Sequence, residues 1–209
     1  MKKHKLIKVV ISVLVTVSAC SSTKQPDVIN HSKPDLKIET TWIESAGCQL
    51  QEVSPGYFSA SCQADSALRQ LGCEYITAKY LFGGLPYPVV LCENYHDEVS
   101  EPAFTKVGCY LSTRNEALLI YINGVYQLVD DKDLQSIVAP IESADEALSY
   151  VIATTDYYAM YGLELEKHSH YYVNKIEETY VRETPTGYLV HLFYYQEPFC
   201  GCGKHYLNA

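Results

Sequence analysis

The sequence predicts an α+β protein. One long amphipathic helix packs on an antiparallel sheet, and a disulfide-rich β-hairpin region precedes it. Three observations predict this. The 209 residues include 19 Tyr, and with many β-branched residues that composition favours sheet. Between residues 144 and 159 apolar side chains recur at three and four, the period of a helix that faces a core. Five cysteines fall between residues 48 and 109, whereas residues 117–199 contain none. The second half must therefore be held by its own core.

Residues 1–19 carry Lys2, Lys3, Lys5 and Lys8, followed by the apolar run Val9 to Ala19. A membrane-spanning helix needs about 20 apolar residues, so this shorter run has the proportions of a signal-peptide core. It ends Val17-Ser18-Ala19-Cys20, which resembles the lipobox of bacterial lipoproteins. The resemblance implies cleavage before Cys20 and acylation of that cysteine, palmitate included. It also implies anchorage in the lipid bilayer, each buried CH₂ contributing about 0.8 kcal/mol. Ser21 at the following position resembles the pattern sorted to the outer membrane, on its periplasmic face. Residues 20–41 hold two Pro and no periodic apolar face, and read as the lipidated Cys with a flexible tether.

The Cys-rich, mostly-β region spans 42–114. Cys48 and Cys62 lie seven residues either side of Pro55, so a hairpin turning at Ser54-Pro55-Gly56 sets them opposite each other, within disulfide range. Asp65–Gly72 reads as a short helix. Cys73 and Cys92 straddle Gly83-Gly84 almost symmetrically and suggest a second hairpin bridge. Pro86 and Pro88 place the returning strand at a sheet edge, since neither donates to a ladder.

The α+β region, 115–209, opens with a hairpin over 117–129 whose Asn123-Gly124 calls for a type I′ turn. Asp130-Asp131 caps a short helix ending before Pro140. Ser143 and Glu146 form a capping box for the main helix, whose apolar face runs from Ala144 through Tyr158 and Ala159 to a stop at Gly162, about five turns. Strands follow at 171–176, 176–184 and 188–196, the last two joined by Pro185-Thr186-Gly187, with the last in mid-sheet. This helix-then-sheet order resembles cystatin-like and PepSY-type modules.

Export implies an oxidising compartment, where disulfides are the default. With 48–62 and 73–92 paired, Cys109 is left to join the tail, and Cys202 is the favoured partner because glycine flanks it on both sides. Cys200, Cys202 and His205, with His191 on the adjoining strand, also form a set able to hold a soft metal or work as a thiol pair. His168-x-His170 reads as plain surface.

No nucleophile elbow, zinc-protease helix, phosphate loop or dinucleotide motif occurs, so no enzyme activity and no cofactor is expected. The net charge is −9. Without the four signal lysines it becomes −13, from 12 basic and 25 acidic residues. Such a chain repels nucleic acid and suits a basic protein partner. The expected function is that of a non-enzymatic envelope lipoprotein that binds a protein or peptide at the membrane surface. The alternative is a thiol-redox or soft-metal protein using the Cys200-Gly-Cys202 tail.

Overall fold

The computed structural model describes residues 25–36, 39–54, 56–79, 83–95, 103–109, 112–165, 171–195 and 207–208. Among them, fourteen strands and four short helices follow in order. They are β1 (Asp27–Ile29), α1 (Thr41–Ser45), β2 (Gln51–Ser54), β3 (Tyr57–Ser61), α2 (Ala67–Gln70), β4 (Tyr75–Lys79) and β5 (Val89–Asn94). Next come β6 (Thr105–Cys109), β7 (Ser112–Ile122), β8 (Val125–Val129), α3 (Asp131–Val138), α4 (Ala144–Thr154) and β9 (Tyr157–Tyr158). The chain closes with β10 (Lys175–Glu177), β11 (Tyr180–Thr184), β12 (Gly187–His191), β13 (Phe193–Tyr195) and β14 (Leu207–Asn208).

Seven of these strands form an antiparallel sheet in the order β2-β3-β4-β5-β7-β6, with β8 also on β7. The long strand β7 is its axis. One edge pairs with β5, from Val89↔Ile120 to Asn94↔Asn115. The other edge is shared end to end by β6, opposite residues 112–116, and β8, opposite residues 118–122. The β7–β8 turn has φ of 50° at Asn123 and 82° at Gly124, the two positive angles that a type I′ turn requires. The division at 114/115 drawn from cysteine distribution therefore lies inside the central strand.

Alternation along β7 separates two cores. Leu119 and Tyr121 face a cluster with Trp42, Ile43, Leu68 and the four cysteines 48, 62, 73 and 92. Leu118, Ile120 and Ile122 face the opposite way, against Leu134 and Val138 of α3. Both disulfides lie in the first core. Cys48–Cys62 has Cα atoms 4.2 Å apart and prolongs the β2–β3 ladder, in which Gln51 faces Ser59 and Glu52 faces Phe58. Each of those pairs is centred on position 55. Cys73–Cys92 has a different origin. The ladder partner of Cys92 is Ile76, so Cys73 lies before β4, in the turn that leaves α2, and the bridge ties that turn to β5. Strand β5 is interior and not an edge, because both prolines precede its first residue, Val89.

The α+β expectation is overturned: the protein is mostly β, with no long amphipathic helix among the described residues. The capping box is present, with Glu146 N–H donating to Ser143 Oγ (3.1 Å) and Ser143 N–H donating to Glu146 Oε2 (3.0 Å). The helix it starts, α4, has 11 residues and not five turns. At its end the Thr154 and Thr155 hydroxyls donate to the carbonyls of Tyr150 (2.8 Å) and Val151 (2.7 Å), four residues back in each case. Thr155 is then extended, φ −136° and ψ 163°, and the two tyrosines at 157 and 158 form β9. Tyr158 keeps the helical spacing but belongs to a strand paired with β13, and Ala159 follows it outside any helix.

A single sheet after the helix is overturned as well, and with it the order shared with cystatin-like modules. Three small sheets take its place: β1–β10, β11–β12 and β14–β13–β9. The apolar run 188–196 breaks at Leu192, so that β12 pairs with β11 and β13 pairs with β9. Part of the stretch read as tether is structured, since β1 runs parallel to β10 with Val28 opposite Ile176. Glu178 secures this junction. It is 1% exposed, and its carboxylate accepts the backbone N–H of His31 (2.9 Å) and Leu163 (2.8 Å).

Helix α4 packs through Leu148 and Ile152 against Val181 and Val190 of the β11–β12 hairpin. It meets the loop before β5 at Gly84, whose N–H donates to Ser149 Oγ (3.1 Å). A Cβ at Gly84 would collide with the Asp145 carbonyl oxygen, a backbone atom of the helix. Gly84→Ala is therefore expected to destabilise the fold by about 1–3 kcal/mol, read as a lower urea midpoint with unchanged slope. Loss of the Cys48–Cys62 bridge, through the double alanine variant, is expected to cost about 3 kcal/mol for a loop of this length.

Candidate functional site

The two faces of the central sheet are apolar along most of their length, but one gives way to charge toward its end. Leu91 and Leu118 are followed on the same face by Glu93 and Glu116, two residues along β5 and β7 in each case. The register makes Glu93 and Glu116 direct cross-strand partners. Like charges in that position repel. Arg114, on the same face of β7, stands between them: its Nε is 2.5 Å from Glu116 Oε1 and 3.6 Å from Glu93 Oε1. Glu93 is 5% exposed and also accepts from Thr77 Oγ1 and from the Tyr95 hydroxyl, each at 3.2 Å. The exposed Tyr75 and Tyr95 rings meet edge to face, with centroids 5.6 Å apart, at the rim of the group.

The electrostatics follow from this arrangement. Burial pushes the Glu116 carboxyl up and Arg114 pulls it back, while the charges of Glu93 and Asp156 push the same way as burial, leaving it raised. Burial works against the Arg114 cation, but Glu116 and Glu93 outweigh it and hold the guanidinium protonated. Tyr95 is pushed up to about 12, first by burial and then by the Glu93 charge and hydrogen bond. Tyr57 rises from burial and from Glu93. These phenols stay neutral donors. The group thus holds two carboxylates against one guanidinium, with aromatic rings beside it. Carboxylates beside aromatic rings are the chemistry of a cation subsite.

A second polar group stands near the N-terminal strand. The Tyr180 ring lies between His31 (4.9 Å) and His191 (5.1 Å, nearly parallel). His31 Nε2 is 3.9 Å from Glu177 Oε2. Burial lowers His191 against the opposing pull of the Glu178 backbone and Glu177. Among the described residues no three His, Cys, Asp or Glu side chains converge to hold a metal ion.

The residues singled out in the sequence are distributed otherwise. Cys48, Cys62, Cys73 and Cys92 are buried in disulfides and serve the fold. Cys109 ends β6, across from Ser112. Cys20, Cys200, Cys202 and His205 lie outside the described residues, as do His168 and His170. His191 is on β12 beside Tyr180 and Phe193. Glu93, Arg114, Glu116 and Tyr95 were not legible as a group, because the pairing of distant strands and its register bring them together. The one local signal is a charge abutting each apolar run, Val89-Val90-Leu91-Cys92-Glu93 and Glu116-Ala117-Leu118-Leu119.

No protein-family model matches the chain, and neither the curated proteins nor the solved structures contain a match to it.

Because the folded state raises the Glu116 carboxyl, its ionisation opposes folding. Its contribution to stability is full below the ordinary carboxylate value and is lost as pH rises through the raised folded value. Glu116→Gln is accordingly expected to gain in urea midpoint relative to the parent at neutral pH, and the gain should vanish at acidic pH. Arg114→Met leaves the Glu93–Glu116 pair without its counter-charge and is expected to lose about 1–3 kcal/mol at neutral pH.

Proposed function

We propose that the protein is a non-enzymatic bacterial envelope lipoprotein, anchored through acylated Cys20, that binds a basic protein or peptide at the membrane surface. The observation that carries the binding reading is the Glu93–Arg114–Glu116 group. Two carboxylates facing each other across β5 and β7 share one guanidinium, so the group keeps a net negative charge beside the exposed Tyr75 and Tyr95 rings. A lysine or arginine side chain of the partner supplies the missing positive charge, and the rings pack on its aliphatic stem. The charge of −13 left once the four signal lysines are removed steers such a partner toward the protein at low salt. The anchoring reading rests on the Val17–Cys20 motif. The periplasmic face of the outer membrane is the location that motif implies together with Ser21.

Two measurements test these readings. Binding of a lysine-rich peptide should weaken about tenfold in a Glu93→Gln/Glu116→Gln variant, equivalent to about 1.4 kcal/mol, and should weaken with added salt. A Glu39→Gln variant, which removes an exposed carboxylate elsewhere, should bind like the parent. Equal losses in the two variants would mean diffuse attraction and no site. For the anchor, the wild-type chain should partition into detergent, whereas Cys20→Ala should stay aqueous or unprocessed.

A further inference from the structure

The most exposed large apolar side chain among the described residues is Tyr172, at 86%, and the next residue, Val173, is 49% exposed. Both shortly precede β10. Their place in the fold is set by the β1–β10 pairing, the one parallel pairing among the described strands. Asp27 lies opposite Lys175, and Asp27 N–H donates to the Asn174 carbonyl at 3.0 Å. In a parallel pair the two chains enter from the same end. The segment arriving from Cys20 therefore reaches the fold beside Tyr172 and Val173. Asp27 is seven positions after Cys20, and a chain of that length spans at most about 24 Å. A bilayer holding Cys20 can be no farther than that from this corner of the protein.

We infer that Tyr172 and Val173 are the contact of the folded protein with the lipid surface, a deepening that rests on acylation of Cys20. The chemistry suits that surface. A tyrosine ring and hydroxyl match the graded polarity of the headgroup region, where Tyr and Trp collect, and Val173 adds apolar area beside it. Charge does not provide the attraction. Lys175 is engaged by Glu177 Oε1 at 2.8 Å, and a protein this acidic is repelled by an anionic leaflet. The contact is apolar and is to be sought on zwitterionic lipid.

The test uses the lipidated chain carrying Tyr172→Trp, reconstituted in phosphatidylcholine vesicles with brominated acyl chains. The native Trp42 is 5% exposed and gives the background, measured in the wild type. Emission from the indole introduced at position 172 is expected to move to shorter wavelength and to be quenched by the brominated lipid. The lipidated Val125→Trp chain, altered at the exposed first residue of β8, should keep its aqueous spectrum. Aqueous, unquenched emission from the Tyr172→Trp chain on vesicles overturns the contact, and so does equal quenching in both variants. The mass of the N-terminal peptide from the same sample separates the two readings. An acylated Cys20 with an unquenched indole at position 172 removes the contact alone, whereas an unmodified Cys20 removes the anchor and the contact together.

Discussion

Everything in the larger half of the molecule depends on the double-sided pairing of β7. With β5 on one edge and β6 and β8 sharing the other, its backbone groups are satisfied along most of its length. A strand so placed is buried on both faces, which is why Ala117 to Ile120 are uniformly apolar. The same alternation assigns Leu119 and Tyr121 to the disulfide core and Leu118, Ile120 and Ile122 to the helix-covered core. A one-residue slip would exchange the two sets. The type I′ turn at Asn123-Gly124 holds the register from one side.

The disulfide core compensates for small covering elements. Helices α1 and α2 have five and four residues, too few to bury a sheet face by themselves. Trp42 stacks on Tyr121 at 5.5 Å, and two buried disulfides complete the cluster. The bridges restrict the unfolded chain at the place where the folded one has little helix to offer. The N-terminal segment is held by different means. Its strand has three residues, and the buried Glu178 carboxylate adds the backbone donors of His31 and Leu163. Burial pushes that carboxyl up, but the backbone donors outweigh it and hold the group below the usual range. A three-residue ladder and one buried carboxylate thus join segments almost 150 residues apart.

The polar group at Glu93, Arg114 and Glu116 runs against this economy. A sheet optimised for stability would continue the apolar pattern of Leu91 and Leu118 through these positions, since buried ion pairs seldom outdo apolar packing. Here two carboxylates lie directly opposed, and one is raised by its own burial. Departures of this kind from local consistency are where function is sought in a fold. Across the sheet end, the exposed Tyr75 and Tyr95 rings give the group an outer face.

The sequence by itself determined what neighbouring residues decide among themselves. The hairpin at 123–124, the register centred on position 55, the capping box at Ser143 and Glu146, and the Asp130 cap of α3 are all set within a few residues. Tertiary structure alone decided where α4 stops, because Tyr158 and Ala159 are spaced for a helix and are covered equally well in and beside a strand. It also decided that the apolar run after residue 187 serves two sheets, and that residues 27–29 find a partner at 175–177. The physical reason is common to all of these. Local patterns state that a side chain is to be buried, whereas the element that buries it is supplied from distant sequence. Glu93 and Glu116 show the same limit in the site: 23 positions apart in the chain, they become one charged group only when β5 and β7 pair.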